Sequence, residues 1–113
     1  MNILVVEDNE TCAFLFDHHL RKAGYTVLVA GTLQSALSIL LTKDHGVDVV
    51  LLDYYLPGVD GKESYSLLSA RHSQIVRISG TDFGDAEPDV IHKDEWDKIL
   101  KAIEDVQSSS GCD

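Results

Sequence analysis

The sequence predicts an α/β fold, a doubly wound parallel sheet with helices on both faces, and three observations predict it. Five short apolar runs rich in β-branched residues recur along the chain. Helical patterns or turn-rich stretches separate them, so strand and helix alternate. The run Val49-Val50-Leu51-Leu52 is apolar without alternation, as expected of a central strand covered on both faces. Such an order implies right-handed crossovers between parallel neighbours. With 113 residues, 44% apolar and 25% charged, the chain suits a single globular domain with its own core.

The strands are expected at Asn2 to Val6, Thr26 to Ala30, Val47 to Leu52, Ile75 to Ile78 and Val90 to His92. Asn9 can cap a first helix whose residues Cys12, Phe16, Leu20 and Ala23 share one apolar face, with Gly24 ending it. Phe14 falls off that stripe and is a candidate partner contact. Thr32 caps a second helix, lined by Leu33, Ala36, Leu37 and Leu40 and broken by Lys43-Asp44-His45-Gly46. Asp60 opens a third, and Glu63 three residues on approximates a reciprocal capping box. The last helix has the clearest stripe, Trp96, Ile99, Leu100, Ile103 and Val106, with Asp94 as its expected cap.

The fourth crossover is the exception. From Gly80 to Asp89 the chain has two glycines, a proline, four acids and no apolar stripe, so a loop replaces the helix there. The domain is expected to span residues 1–107. Residues 108–113 form a tail, its Ser108-Ser109-Ser110-Gly111 having the composition of a flexible linker.

Nine Lys and Arg against 19 Asp and Glu leave a formal charge of -10, a field that opposes a phosphate backbone and disfavours nucleic-acid binding. Cys12 and Cys112 suit reduced thiols better than a staple. No export signal or membrane span is evident, so a cytoplasmic location is expected. The histidines His18, His19, His45 and His72 have no ligand spacing that suggests zinc.

In a doubly wound sheet, ligands sit beyond the carboxyl ends of the strands. Glu7 and Asp8 follow the first strand, Asp53 the third, Ser79 the fourth and Lys93 the fifth. Each alone is ordinary: a capping acid, a turn acid, a small bend residue, a surface charge. Together they form a constellation, because three acids in one pocket repel one another unless a divalent cation or an ammonium group compensates. Mg²⁺, a hard cation that takes oxygen ligands, is the natural candidate.

At these residues the sequence resembles the response-regulator receiver domain of bacterial two-component signalling. The motifs are Ile3-Leu4-Val5-Val6-Glu7-Asp8-Asn9 and the run from Val49 through Asp53-Tyr54-Tyr55-Leu56-Pro57-Gly58 to Gly61, within a likeness spanning Ile3 to about Val106. The resemblance implies a flavodoxin-like strand order 2-1-3-4-5. It implies that Asp53 accepts a phosphoryl group from a histidine kinase or a histidine phosphotransfer protein. Glu7, Asp8, Asp53 and the backbone carbonyl of Tyr55 would bind Mg²⁺. Ser79 and Lys93 would contact the phosphoryl oxygens, and small Gly80 would leave the donor a path in. Tyr55 and Thr81 occupy positions that modulate water access. Signalling would run through contacts with a downstream protein or a second copy, without turnover catalysis.

The chain departs from the family pattern in three places: the missing helix, Val90 where an aromatic switch residue is expected, and Asp94 where proline usually follows the lysine. Phe83 is the nearest substitute ring, with loop anchoring as its competing role. A trans Lys93-Asp94 bond is expected, since cis costs about 2.5–4 kcal/mol without proline. Strand alternation puts Arg77 and His92 on the face the missing helix would cover, predicting either an open face or a rearranged loop over it. Two other functions compete. One is a pseudo-receiver that binds partners without phosphorylation. The other is a small phosphohydrolase, since Asp8-Asn9-Glu10-Thr11 faintly resembles the Asp-x-Asp of the haloacid-dehalogenase family, though Glu10 breaks that motif.

Overall fold

A computed structural model describes residues 1–81 and 83–110. The strands are β1 (Asn2–Val6), β2 (Thr26–Ala30), β3 (Val49–Asp53), β4 (Ile75–Ser79) and β5 (Val90–His92). The helices are α1 (Glu10–Lys22), α2 (Leu33–Leu41), α3 (Gly61–Ser69) and α4 (Trp96–Ser110). The sheet is parallel throughout, in the order β2-β1-β3-β4-β5. All five residues of β3 are buried, as its unbroken apolar run requires.

Alternation along the strands divides the core into two layers. Ile3, Val5, Val49, Leu51 and Ile78 meet Phe16 and Leu20 of α1 and Ile99 and Ile103 of α4 on one face. Leu4, Val6, Val50 and Leu52 meet Ala36 and Leu40 of α2 and Leu68 of α3 on the other. Three helices start where short polar side chains take a free N–H group. Asn9 accepts from Cys12 N, Thr32 from Ser35 N and Asp60 from Lys62 N. Gly24, at φ +98°, turns the chain out of α1 in a conformation that costs glycine little.

Several boundaries differ from expectation. β3 starts at Val49 and includes Asp53, and β4 includes Ser79, so the two site residues are strand ends held by the ladder. Ala13 joins the buried stripe of α1, while Ala23 becomes its exposed C-cap. Asp94 does not cap α4: the first helical bond runs from Ile99 N to Glu95 O, which makes Glu95 the N-cap, and Glu95 N is itself tied to His92 O. Helix α4 continues through Ser110, so residues 108–110 extend it rather than begin the tail. Gly111, Cys112 and Asp113 lie outside the described residues, as does Asp82.

The fourth crossover is a loop with a single 3₁₀ turn, Gly84–Ala86. It nevertheless covers the sheet face. Arg77 lies under Tyr65 of α3, its guanidinium 4.5 Å from the ring centroid. Glu87 and Asp89 each approach that guanidinium to 3.9 Å, leaving the Arg77 side chain 14% exposed. His92 Nε2 bonds Gly80 O at 3.1 Å and its Nδ1 accepts from Asp94 N. The face is closed by the rearranged loop, and the open-face expectation fails because residues 12 and 10 places beyond Arg77 fold back over it.

Candidate functional site

The site is built at the C-terminal ends of the strands. Glu7 and Asp8 follow β1 directly, Asp53 ends β3, and Lys93 follows β5. Because β1 and β3 are neighbours, their acids meet: Glu7, Asp8 and Asp53 each offer a carboxylate oxygen, all within 4.8 Å of one another. Glu7 is 2% and Asp53 3% exposed, whereas Asp8 faces solvent.

Lys93 reaches across from the sheet edge. Its Nζ lies 2.7 Å from Glu7 Oε2 and 3.4 Å from Asp53 Oδ2. Two backbone groups orient the acids: Asn9 N donates to Glu7 Oε1 at 3.1 Å, and Tyr55 N donates to Asp53 Oδ1 at 3.2 Å. Glu7 Oε2 is buried, with the Lys93 ammonium as its ionic partner.

The electrostatics follow from burial. Desolvation first, then the charge of Glu7, raise the Asp53 carboxyl from 3.8 to about 6 against the opposing pull of Lys93 and Tyr55 N. For Lys93, burial works against the charged form, but the hydrogen bond to Glu7 and the charges of Asp53 and Glu7 outweigh it and raise the ammonium. One ammonium therefore does not fully compensate the acids it faces.

Ser79 ends the adjoining strand and is buried; its Oγ accepts from Thr81 N at 2.9 Å, and its carbonyl accepts from Lys93 N at 2.8 Å. The second bond fixes Lys93 to the end of β4. Gly80 is exposed, with open space where a Cβ would stand. Tyr55 and Thr81 are exposed as well. No cis peptide bond occurs among the described residues, so Lys93-Asp94 is trans as expected. Phe14, at 68% exposure, lies off the buried stripe of α1.

Around this pocket, sequence reading offered Phe83 two roles and gave none to the side chains of Tyr54 and Glu87 or to the bareness of Gly61. Phe83 packs on Tyr54 and Tyr55, with ring centroids 4.7 and 5.9 Å away, which is the loop-anchoring role. Tyr54 donates its hydroxyl to Glu87 Oε1 at 3.3 Å. Gly61 must lack a side chain, since a Cβ there would stand 2.6 Å from the ring and the carbonyl oxygen of Tyr54.

Residues 3–107 match the model of the response regulator receiver domain. The chain belongs to that family. Relatives include the sensory transduction protein RegX3 of Mycolicibacterium smegmatis, 37% identical over 82 residues, covering 72% of this chain and 35% of the relative. The transcriptional regulatory protein MalR of Bacillus subtilis is 35% identical over 97 residues, covering 82% and 39%. The chain thus spans well under half the length of these relatives. Among solved structures, the response regulator TrrA of Thermotoga maritima, determined with Mg²⁺ and BeF, superposes with a TM-score of 0.80. It is 20% identical, with 93% of this chain and 97% of TrrA covered. TrrA has also been solved with the histidine kinase ThkA, a match with TM-score 0.74 and 20% identity over 93% of this receiver chain and 97% of the other. No helix among the described residues is long and apolar enough to cross a membrane.

Proposed function

We propose that this receiver domain accepts a phosphoryl group on Asp53 from the phosphohistidine of a histidine kinase or a phosphotransfer protein, and signals through protein contacts in the cytoplasm. The observation that carries the reading is Lys93, a single ammonium placed 2.7 Å from Glu7 and 3.4 Å from Asp53 beside an otherwise uncompensated acidic cluster. A receiver needs that charge balance: surplus acid to hold a cation, and a fixed lysine for the product.

The donor set fits Mg²⁺. It is all oxygen, and it gathers three carboxylates within 4.8 Å. Glu7, Asp8, Asp53 and the Tyr55 carbonyl would hold the ion. When bound, Mg²⁺ supplies charge neutralisation for a phosphoryl group and for Asp53 together.

An oxygen of the ionised Asp53 forms the new P–O bond as the P–N bond to the donor imidazole breaks in line, and the imidazole leaves with that electron pair. Tyr55 N holds the other carboxylate oxygen in place. Lys93 offsets the added charge, and the Ser79 hydroxyl is the donor nearest the end of β4 for a phosphoryl oxygen. Exposed Gly80 leaves the approach unobstructed. Hydrolysis follows as one slow event per cycle, so the protein is not a turnover enzyme.

Incubation with phosphoramidate and Mg²⁺ should add one phosphoryl mass to the protein, and Asp53→Asn should remove that gain completely. A gain that survives Asp53→Asn, or none in the unaltered protein, sinks the reading. The competing pseudo-receiver reading draws on the helix-free fourth crossover and on Val90. No Mg²⁺ binding, with partner affinity unchanged in Asp53→Asn, would favour it.

A further inference from the structure

One carboxylate gathers the segment that replaces the missing helix. Glu87 Oε1 accepts the Tyr54 hydroxyl at 3.3 Å and lies 3.7 Å from Lys62 Nζ, while Oε2 lies 3.9 Å from Arg77 Nη1. These partners come from the end of β3, the first turn of α3 and the middle of β4. Four residues before Glu87, Phe83 rests on the rings of Tyr54 and Tyr55. Tyr54 follows the phosphoacceptor, and Tyr55 N donates to Asp53 Oδ1. The loop is therefore fastened to the backbone that positions Asp53, by a polar tie at one end and a ring stack at the other. Both ties are releasable, because the ionic distances are long and Lys62 is largely exposed.

We infer that Glu87 and Tyr54 form a clasp that holds residues 83–89 closed against Tyr55, and that opening the clasp frees the Asp53-positioning backbone. Glu87 is thus a positioning residue that acts on Asp53 through Tyr54 and Tyr55. Gly61 strengthens the arrangement: packed against the Tyr54 ring, it fixes where the hydroxyl points. The clasp occupies the place of the fourth helix and of an aromatic at position 90, giving this chain a different route from the acceptor to its surface. Its importance for signalling rests on the phosphoacceptor reading, but its existence does not.

Amide hydrogen exchange on the metal-free protein tests the clasp without any phosphorylation, so its failure is separable from failure of the proposed function. Glu87→Ala and Tyr54→Phe should each speed exchange of the hydrogen-bonded amides of Ala86 and Val90 by about tenfold, the scale of one hydrogen bond to a charged group. The double variant should be no faster than the faster single one, because both remove the same contact. The loosening should reach Tyr55 N while the amides of β1 and β3 stay protected, which shows that the fold is intact. Exchange within twofold of the unaltered protein in both variants, effects that multiply in the double variant, or loosening that stops short of Tyr55 would each overturn the clasp.

Discussion

Glu7 and Glu87 put the same side chain to opposite uses. Glu7 is buried at the end of β1, with its ammonium partner at 2.7 Å. Glu87 sits in a loop at the edge of the sheet, with its partners at 3.3, 3.7 and 3.9 Å. A buried charge held at short range is costly to orphan, whereas a charge with only long contacts, one of them to an exposed lysine, is held more loosely. The molecule thus pairs a stiff charge pocket with a releasable neighbour, and the two meet at Tyr54 and Tyr55.

The largest expected effect comes from removing the shared cation. Lys93→Ala leaves Glu7 and Asp53 buried together, and should lower stability at pH 7.5 by about 3–5 kcal/mol. Urea unfolding measures this, and a loss below about 1 kcal/mol, the scale of an exposed pair, would erase the contrast with Glu87.

Next is the pH dependence of Asp53. Its carboxyl is raised from 3.8 to about 6, so between those values the folded state binds more protons than the unfolded one. Metal-free stability therefore falls as pH rises through that window. Asp53→Asn removes the penalty and should be the more stable protein at pH 7.5 by up to about 3 kcal/mol, with little difference near pH 4. Parallel urea midpoints for the two proteins across this range would contradict it.

Gly61→Ala tests the meeting point. The added methyl must displace the Tyr54 ring or backbone, at a cost of about 1–3 kcal/mol, and thermal melting with near-ultraviolet tyrosine dichroism should report both changes. An unchanged melt would mean that Tyr54 is not held from below. The smallest effect belongs to Lys62→Ala, on the exposed side of Glu87, which should cost no more than about 0.5 kcal/mol. A larger loss in denaturant midpoint would show that the loop is fastened as firmly as the pocket.

Sequence made the pocket legible because its chemistry is local to strand ends. Glu7, Asp8, Asp53, Ser79 and Lys93 stand at or beside the last residue of a strand, and parallel neighbours bring such ends together without further information. Asn9, Thr32 and Asp60 were readable as caps for the same reason, since a cap bonds within its own turn. The loop was different. Alternation assigned Arg77 to a face, but its cover consists of Tyr65, Glu87 and Asp89, whose meeting depends on how a segment without periodicity folds back. The cap of α4 slipped by one residue because the chain first turns through the bond from Glu95 N to His92 O. The need for glycine at 61 rests on a ring seven residues away in sequence, and no local pattern announces it.

The only tryptophan of the chain lies three residues beyond Lys93. Trp96 is stacked against Phe16, with centroids 4.9 Å apart, and against His19 at 4.5 Å. Its emission is consequently a built-in optical gauge of the lysine-bearing edge. A cuvette and a titration would register strain arriving at that end of the sheet, with no label attached.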